Sequence, residues 1–233
     1  MMIKLYKKNE LTFAIVCIAV YVLLTGNLRS LGDDSPFMML GLMTLAATLF
    51  FFVKKNDLLK TYGLDTWPGN AKQMLYFIPL WIVSTGNLWG GIKARYEGMG
   101  LCCAIISFAL VGFIEEMIFR GFLFRALLKD GNKTKAIIIS AVSFGIGHIV
   151  NLLIGQGGLD TVVQILFAIA IGFIYTFVYY RCDSLIPVII SHSIIDVFSV
   201  FALDNPTAHK IYIAVTLFIA ITYCFYLSRL KKD

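Results

Sequence analysis

Three short polar clusters interrupt three otherwise apolar stretches of this chain, and their residue types are capable of acid–base chemistry. Ionisable side chains are costly inside a membrane, so they are kept mainly where they face a cavity, a partner or a reaction. Together the clusters supply carboxylates and imidazoles that could activate a water molecule, bind a metal ion or carry protons. The clusters are Glu115-Glu116 with Arg120, Phe144 with His148, and His192 with Asp196.

The first cluster divides into two parts when it is placed on a helix. Glu116 and Arg120 are four residues apart, so they share a helix face and are expected to form an ion pair. Burial makes such a partner nearly obligatory for an arginine. Glu115 lies about 100° around the helix from Glu116, so it need not share this partner. We therefore predict that Glu116 and Arg120 position the helix end and that Glu115 acts as a general base.

The second cluster has the same four-residue spacing. Phe144 and His148 enclose Gly145 and Gly147, and small residues of this kind let helices approach each other closely in a membrane. The pattern predicts that His148 is pressed against neighbouring helices.

The composition places these clusters in a membrane protein. Of the 233 residues, 59% are hydrophobic and only 15% are charged, and the mean hydropathy is +0.81. These values are typical of integral membrane proteins rather than of soluble domains. The net charge of +6 arises from basic residues at the ends of apolar runs. No basic stripe or compact soluble module indicates nucleic-acid binding.

Eight apolar runs approach the roughly 20 residues that a membrane span requires. We therefore predict an all-α, polytopic membrane protein with about eight transmembrane helices in one bundle and both termini cytoplasmic. A single membrane domain is expected to fill residues 1–233, with the motif-bearing core at about 99–203. The runs cover residues 10–28, 36–53, 73–91, 99–119, 136–154, 161–180, 184–203 and 209–228.

The distribution of basic residues supports this topology independently of hydropathy. All but four of the 20 Lys and Arg residues fall on the cytoplasmic side, as the positive-inside rule requires. The first run follows three lysines, as in a signal peptide, but no small-residue cleavage site comes after it. We therefore expect it to be a retained membrane helix.

This topology also predicts that the three clusters meet. Counted from Arg125, Lys135 and Arg181 at the cytoplasmic ends of their helices, Glu115, His148 and His192 all lie about 15 to 20 Å deep. His192 and Asp196 share a helix face because they are again four residues apart. Asp196 is expected to accept a hydrogen bond from the His192 ring, or to bond a substrate carbonyl if the carboxyl is protonated.

The order and spacing of the clusters resemble the signature of the CPBP family of intramembrane proteases. This family includes CAAX prenyl protease 2 and the bacteriocin-processing group often called Abi. Its signature reads EExxxR, then FxxxH, then HxxxN or HxxxD on successive membrane helices. This chain carries EEMIFR, FGIGH and HSIID in the same order. The resemblance covers about residues 110–200. The helices outside this region resemble those of the family only in being apolar.

The resemblance implies a role for each cluster in an eight-helix bundle. Glu115 and His148 would activate the attacking water, and His192 and Asp196 would stabilise the oxyanion formed at the scissile carbonyl. In the eukaryotic branch of the family the last motif carries Asn, whereas Asp196 can donate a hydrogen bond only when it is protonated. The supporting residues would be Glu116, Arg120 and Phe144.

Several alternatives stay open at this point. Glu115, His148 and His192 could supply three ligands to a divalent metal such as zinc, with Asp196 as a fourth or outer group, although no HExxH motif is present. We expect an intramembrane endopeptidase of a bacterial cell membrane that acts on a membrane-associated, prenylated or leader-type peptide, with a partner membrane protein as a further possibility. The main alternative is a non-catalytic bacteriocin-immunity or scaffold protein of the same fold. A proton-coupled transporter fits less well, because no paired half-length hydrophobic segments are visible.

Overall fold

The computed structural model describes residues 2–149, 151 and 157–230, and these form helices joined by turns and loops. The predicted all-α class is confirmed for this part of the chain, in which the one strand-like contact is an isolated bridge between Ile92 and Ala202. The α-helices are α1 (Met2–Lys8), α2 (Glu10–Arg29), α3 (Pro36–Lys55), α4 (Ile78–Ser84), α5 (Gly98–Glu116), α6 (Arg125–Leu128), α7 (Lys133–Gly147), α8 (Gly158–Cys182), α9 (Ile186–Ser199) and α10 (Pro206–Arg229).

Asparagine side chains mark where two of the helices around the site begin. The Asn9 side chain accepts a hydrogen bond from the backbone N–H of Thr12 at 2.8 Å, and Asn132 does the same for Lys135 at 2.9 Å. Such caps satisfy backbone donors that the first helical turn leaves without partners. They fix the starts of α2 and α7, and thereby the height of the functional side chains along each helix.

The helix that carries the paired glutamates changes its hydrogen bonding directly after them. It runs without a break over Gly98–Leu128, but Met117–Phe124 form a π-helical segment between α5 and α6. All eight residues of this segment are buried. π-helical turns within α-helices are rare and occur frequently at functional sites.

Among the described residues, five helices are long and apolar enough to cross a membrane, which indicates an integral multi-pass membrane protein. Leu75–Ser84 and Ile186–Ser199 are shorter apolar helices. The total of about eight spans and the cytoplasmic location of both termini remain predictions. Residues 150 and 152–154 of the predicted run 136–154 lie outside the described residues, as do residues 155–156 and 231–233. The five helices are Glu10–Arg29, Pro36–Lys55, Gly98–Leu128, Gly158–Cys182 and Pro206–Arg229.

Glycines let the helices that carry the clusters pack backbone to backbone. A Cβ atom at Gly112 of α5 would lie 2.5 Å from the backbone nitrogen of Ser193 in α9. A Cβ atom at Gly145 of α7 would lie 2.8 Å from the carbonyl oxygen of Ile165 in α8. Larger side chains at either position would force the helices apart, so small residues set these contacts. The close approach of α5 and α9 brings the two glutamates next to His192.

Candidate active site

The three clusters converge in the interior of the bundle. Glu115 and Glu116 occupy the last turn of α5, His148 caps the C-terminal end of α7, and His192 lies in the middle of α9. Glu116 is fully buried, while Glu115 and His192 retain exposures of 9% and 6%. The elements that carry the motifs therefore place their ionisable groups in one largely buried site.

Glu116 forms the predicted ion pair with Arg120. The Arg120 Nη1 to Glu116 Oε1 distance is 2.7 Å, and neither side chain is exposed. The Arg120 guanidinium also lies over the rings of Phe144 and Tyr175, at 4.1 and 5.5 Å from their centroids. Within the described part of the chain, Arg120 Nε and Nη2 have no hydrogen-bond partner. The carboxylate and the aromatic faces together compensate a charge that would otherwise be costly to bury.

The same Glu116 oxygen also orients His192. His192 Nδ1 lies 2.8 Å from Glu116 Oε1, and because an ionised carboxylate can only accept, the ring nitrogen donates. Asp196, which the sequence favoured for this role, lies on the other side of the ring, with Oδ2 3.5 Å from Nε2. Glu116 thus joins Arg120 on its own helix to His192 on α9 and leaves His192 Nε2 to face the remaining groups.

Glu115 is held by a residue that sequence reasoning missed. The Tyr21 hydroxyl of α2 donates to Glu115 Oε1 at 2.5 Å. The other carboxylate oxygen, Oε2, lies 3.6 Å from His192 Nε2. Tyr21 sits within a long apolar run and carries no motif, so its only signal was a hydroxyl in a membrane helix. It fixes one oxygen of Glu115 and leaves the second oriented towards His192.

Glu115 and His148 line the same cavity, as the proposed activation of a water molecule by both residues requires. The cavity is about 30 Å³, and its walls include Tyr21, Arg29 and Asn151. A volume of this size accommodates about one water molecule. His148 Nδ1 lies 3.3 Å from the carbonyl oxygen of Phe144 one turn earlier, which fixes the ring against its own helix.

Phe144 is the packing centre of the site. Its ring meets those of His148 and His192 edge to face, with centroid separations of 5.5 and 5.6 Å. It packs against Phe119 in the same way at 5.4 Å. The phenylalanine of the second motif therefore positions both histidines while its face supports Arg120.

Three hydroxyl groups near His192 form a row of hydrogen bonds that the sequence did not predict. The Tyr175 ring lies 5.7 Å from the His192 ring, and its hydroxyl is 3.0 Å from Ser191 Oγ. Ser191 Oγ is in turn 2.7 Å from Ser84 Oγ of α4. This chain of hydrogen bonds ties α4 and α8 to the part of α9 that carries His192.

The proposed metal ligands do not assemble into a metal site in this conformation. Among the described residues, no three His, Cys, Asp or Glu side chains are placed to hold a metal ion. Glu115 is engaged by Tyr21 through one oxygen, and His148 faces the backbone of its own helix through Nδ1. The set of Glu115, His148 and His192 therefore does not fit zinc as it stands.

The segment of the chain that carries the site is similar to a known protein family. Residues 98–198, from the start of α5 into α9, match the protein-family model described as Rce1-like, type II CAAX prenyl endopeptidase. No curated protein and no solved structure matches the chain. The match confirms the family predicted from the three motifs, and that family consists of proteases. Over the segment that carries the site, this chain is therefore similar to the Rce1-like type II CAAX prenyl endopeptidases.

Proposed function

We propose that this protein is an intramembrane endopeptidase that hydrolyses a peptide bond in a membrane-associated peptide, such as a prenylated tail or a leader-type peptide. The family match supports peptide-bond hydrolysis. The observation that carries the proposal is the shared cavity, since Glu115 and His148 both border a space the size of one water molecule.

Glu115 is the proposed general base. Tyr21 occupies its Oε1 atom, so Oε2 is the oxygen available to take a proton from a water held between Glu115 and His148. The water oxygen then bonds to the scissile carbonyl carbon, and Glu115 returns its proton to the amide nitrogen as the carbon–nitrogen bond breaks. One carboxylate thus serves first as base and then as acid, a step that typically contributes about 10²- to 10⁴-fold in rate.

His192 and Asp196 are the proposed partners of the oxyanion. With Nδ1 bonded to Glu116, His192 offers Nε2, which donates to the oxyanion when it carries a proton. Asp196 Oδ2 lies 3.5 Å from that nitrogen and contributes a second donor when its carboxyl group is protonated. Fixed donors at the position where charge develops are usually the largest contribution to catalysis of this kind.

The test uses purified protein in detergent micelles and a fluorescence-quenched peptide with a farnesylated Cys three residues before its C-terminus, the arrangement of a prenylation motif. Glu115→Gln and His148→Ala should each lower cleavage about a hundredfold or more, because the water loses its base or its second contact. Glu97→Gln, an exposed carboxylate at the start of the same helix, is the matched control and should cleave normally.

The folding of each variant is checked by the reactivity of Cys103, which is buried in α5 and should remain protected from thiol reagents. Cleavage at the wild-type rate by both folded variants would show that the site is not the catalytic one. A wild-type protein that binds the peptide without cleaving it would instead favour a non-catalytic binding protein of the same fold.

A further inference from the structure

A groove between α7 and α8 has apolar walls and a basic end. Its volume is about 180 Å³, and it shares no lining residue with the catalytic cavity. Ile137 of α7 and Phe173 and Phe177 of α8 form much of the apolar part, whereas Lys133 and Arg181 lie where α7 begins and α8 ends. None of the described residues that line the groove is acidic.

The spacing of these residues separates the basic end from the apolar part. Phe173, Phe177 and Arg181 are each four residues apart, so they follow one another along one face of α8. At 1.5 Å per residue, Phe173 lies about 12 Å from Arg181 along the helix axis. On α7, Lys133 likewise precedes Ile137 by four residues. The groove therefore changes from basic to apolar along its length, as a lipid molecule does from its headgroup to its chains.

The Arg181 guanidinium is buried without a counter-ion. The residue is only 9% exposed, and in the described part of the chain no carboxylate lies within 4 Å of it. Nη2 donates to the carbonyl oxygen of Ser228 at 2.9 Å, and the Tyr180 ring centroid lies 5.2 Å from the guanidinium carbon. Nε is buried and has no hydrogen-bond partner among the described residues. Arg120 and Arg125, by contrast, both pair with carboxylates. Arg181 is thus held in place while its charge lacks the anion that burial ordinarily requires.

The basic end of the groove lies at the level expected for lipid headgroups. Arg181 directly follows the predicted run 161–180, and Lys133 precedes the run 136–154 by three residues. Residues at the ends of membrane spans meet the headgroup layer rather than the hydrocarbon. Basic pockets between membrane helices bind anionic headgroups, and a guanidinium matches a phosphate with two parallel hydrogen bonds.

We propose that this groove binds an anionic phospholipid, with its phosphate between Arg181 and Lys133 and an acyl chain along Phe173 and Phe177. Inorganic phosphate shares the headgroup chemistry but has no chain for the apolar part, so the groove favours the lipid. The proposal does not depend on the protease function, because none of the proposed catalytic residues lines the groove.

The test measures the binding of three compounds to full-length protein purified in a non-ionic detergent. They are dioleoyl phosphatidylglycerol, phosphatidylcholine with the same chains, and inorganic phosphate. Native mass spectrometry counts the bound lipid, and thermal unfolding gives the shift in Tm. Wild-type protein should retain one phosphatidylglycerol molecule and gain about 5 to 10 °C in Tm when the lipid is about 100-fold above its Kd. Phosphatidylcholine, which has no net charge, should bind about tenfold more weakly or less, and inorganic phosphate should leave Tm unchanged.

Substitutions at the basic end should weaken the binding of phosphatidylglycerol. Arg181→Gln should raise its Kd about tenfold or more, because the phosphate loses its paired hydrogen bonds. Lys133→Gln should raise it about fivefold. Because Lys133 is exposed at the start of α7, this variant tests the site even if Arg181→Gln lowers stability. Lys55→Gln removes the same charge from the end of α3, outside the groove, and should bind like wild type.

Equal affinity of wild-type protein for the two lipids, or an Arg181→Gln variant that binds phosphatidylglycerol like wild type, would overturn the inference. Equal losses from Lys133→Gln and Lys55→Gln would also overturn it, because they would show a general attraction to surface charge. A rise in Tm with inorganic phosphate as large as that with phosphatidylglycerol would show that the groove binds a soluble anion rather than a lipid.

Discussion

The ion pair of Glu116 and Arg120 should affect the stability of the protein, and the bond from Glu116 to His192 should affect its activity. Substituting both members of the ion pair together separates these two effects. Removing one partner leaves the other charge buried, because both side chains have zero exposure. Breaking a buried pair in this way costs about 3 to 5 kcal/mol, whereas replacing both partners by neutral groups of similar size is often nearly neutral. We therefore expect Glu116→Gln and Arg120→Met to be strongly destabilising alone but not together.

The stability of each double variant depends on whether position 116 still offers a hydrogen-bond acceptor to His192. A glutamine at position 116 keeps an oxygen that can accept from His192 Nδ1, which now lies 2.8 Å from Glu116 Oε1. A methionine at the same position removes that acceptor, and a buried donor without a partner costs about 1 to 3 kcal/mol. The Glu116→Gln/Arg120→Met variant should thus be more stable than Glu116→Met/Arg120→Met by about this amount.

Thermal unfolding in detergent, followed by the reactivity of the buried Cys103 and Cys224, measures these differences. For a chain of this length, a loss of 3 to 5 kcal/mol corresponds to a fall in Tm of roughly 6 to 20 °C. The double-mutant cycle should give a coupling free energy of at least about 3 kcal/mol. Additive losses across the cycle would contradict the assignment of a buried, mutually dependent pair.

Peptide cleavage by the two double variants tests whether Glu116 orients His192. If Glu116 acts by orienting His192, the Glu116→Gln/Arg120→Met variant should cleave within about tenfold of wild type. The Glu116→Met/Arg120→Met variant should lose about a hundredfold or more, the typical effect of removing an oxyanion donor. Equal activity of the two double variants would refute the proposed link between Glu116 and His192.

Three further substitutions test other contacts of the site. Asp196→Asn should retain most of the peptide cleavage and Asp196→Ala should not, because an amide donates a hydrogen bond without needing a proton. Tyr21→Phe should lower kcat by about tenfold with little change in Tm, since it removes only the hydroxyl that orients Glu115. Gly112→Ala should lower Tm by an amount equivalent to about 1 to 3 kcal/mol, because the new methyl group would overlap Ser193 of α9.

The spacing of the first motif predicted the contact within its own helix. Glu116 and Arg120 were expected to pair because they are four residues apart, and they do. Their pairing survives the change to π-helical hydrogen bonding that begins at Met117, which nothing in the residue pattern announced. Contacts within a helix depend on local periodicity, and periodicity is visible in a sequence.

Contacts between helices were harder to predict, because they depend on how each helix is rotated about its axis. The bond from Glu116 to His192 joins residues 76 positions apart, and the bond from Tyr21 to Glu115 joins residues 94 positions apart. The apolar run around Tyr21 has no polar stripe to show which side faces the protein. A tyrosine in such a run is ordinarily read as a residue of the membrane interface.

The count of about eight spans stays a prediction, because the ends of a helix are also hard to locate from a sequence. Hydropathy counts apolar residues but does not show where a helix begins and ends, so the runs 73–91 and 184–203 looked long enough to cross. In the structure the corresponding apolar helices are only Leu75–Ser84 and Ile186–Ser199. At 1.5 Å per residue, the latter spans about 21 Å, which is less than the roughly 30 Å of hydrocarbon that a straight span must cross.

The different tasks proposed for the two adjacent glutamates follow from helix geometry and burial. A rotation of about 100° between neighbours directs Glu116 to Arg120 and His192, where it has no exposure, and directs Glu115 to the cavity. Glu116 does not border that cavity, so a water molecule bound there can reach Glu115 but not its neighbour. Exchanging their roles would require α5 to turn on its axis, and the contact of Gly112 with the backbone of Ser193 prevents this. The close packing of α5 against α9 therefore selects which of two chemically identical carboxylates can act as the base.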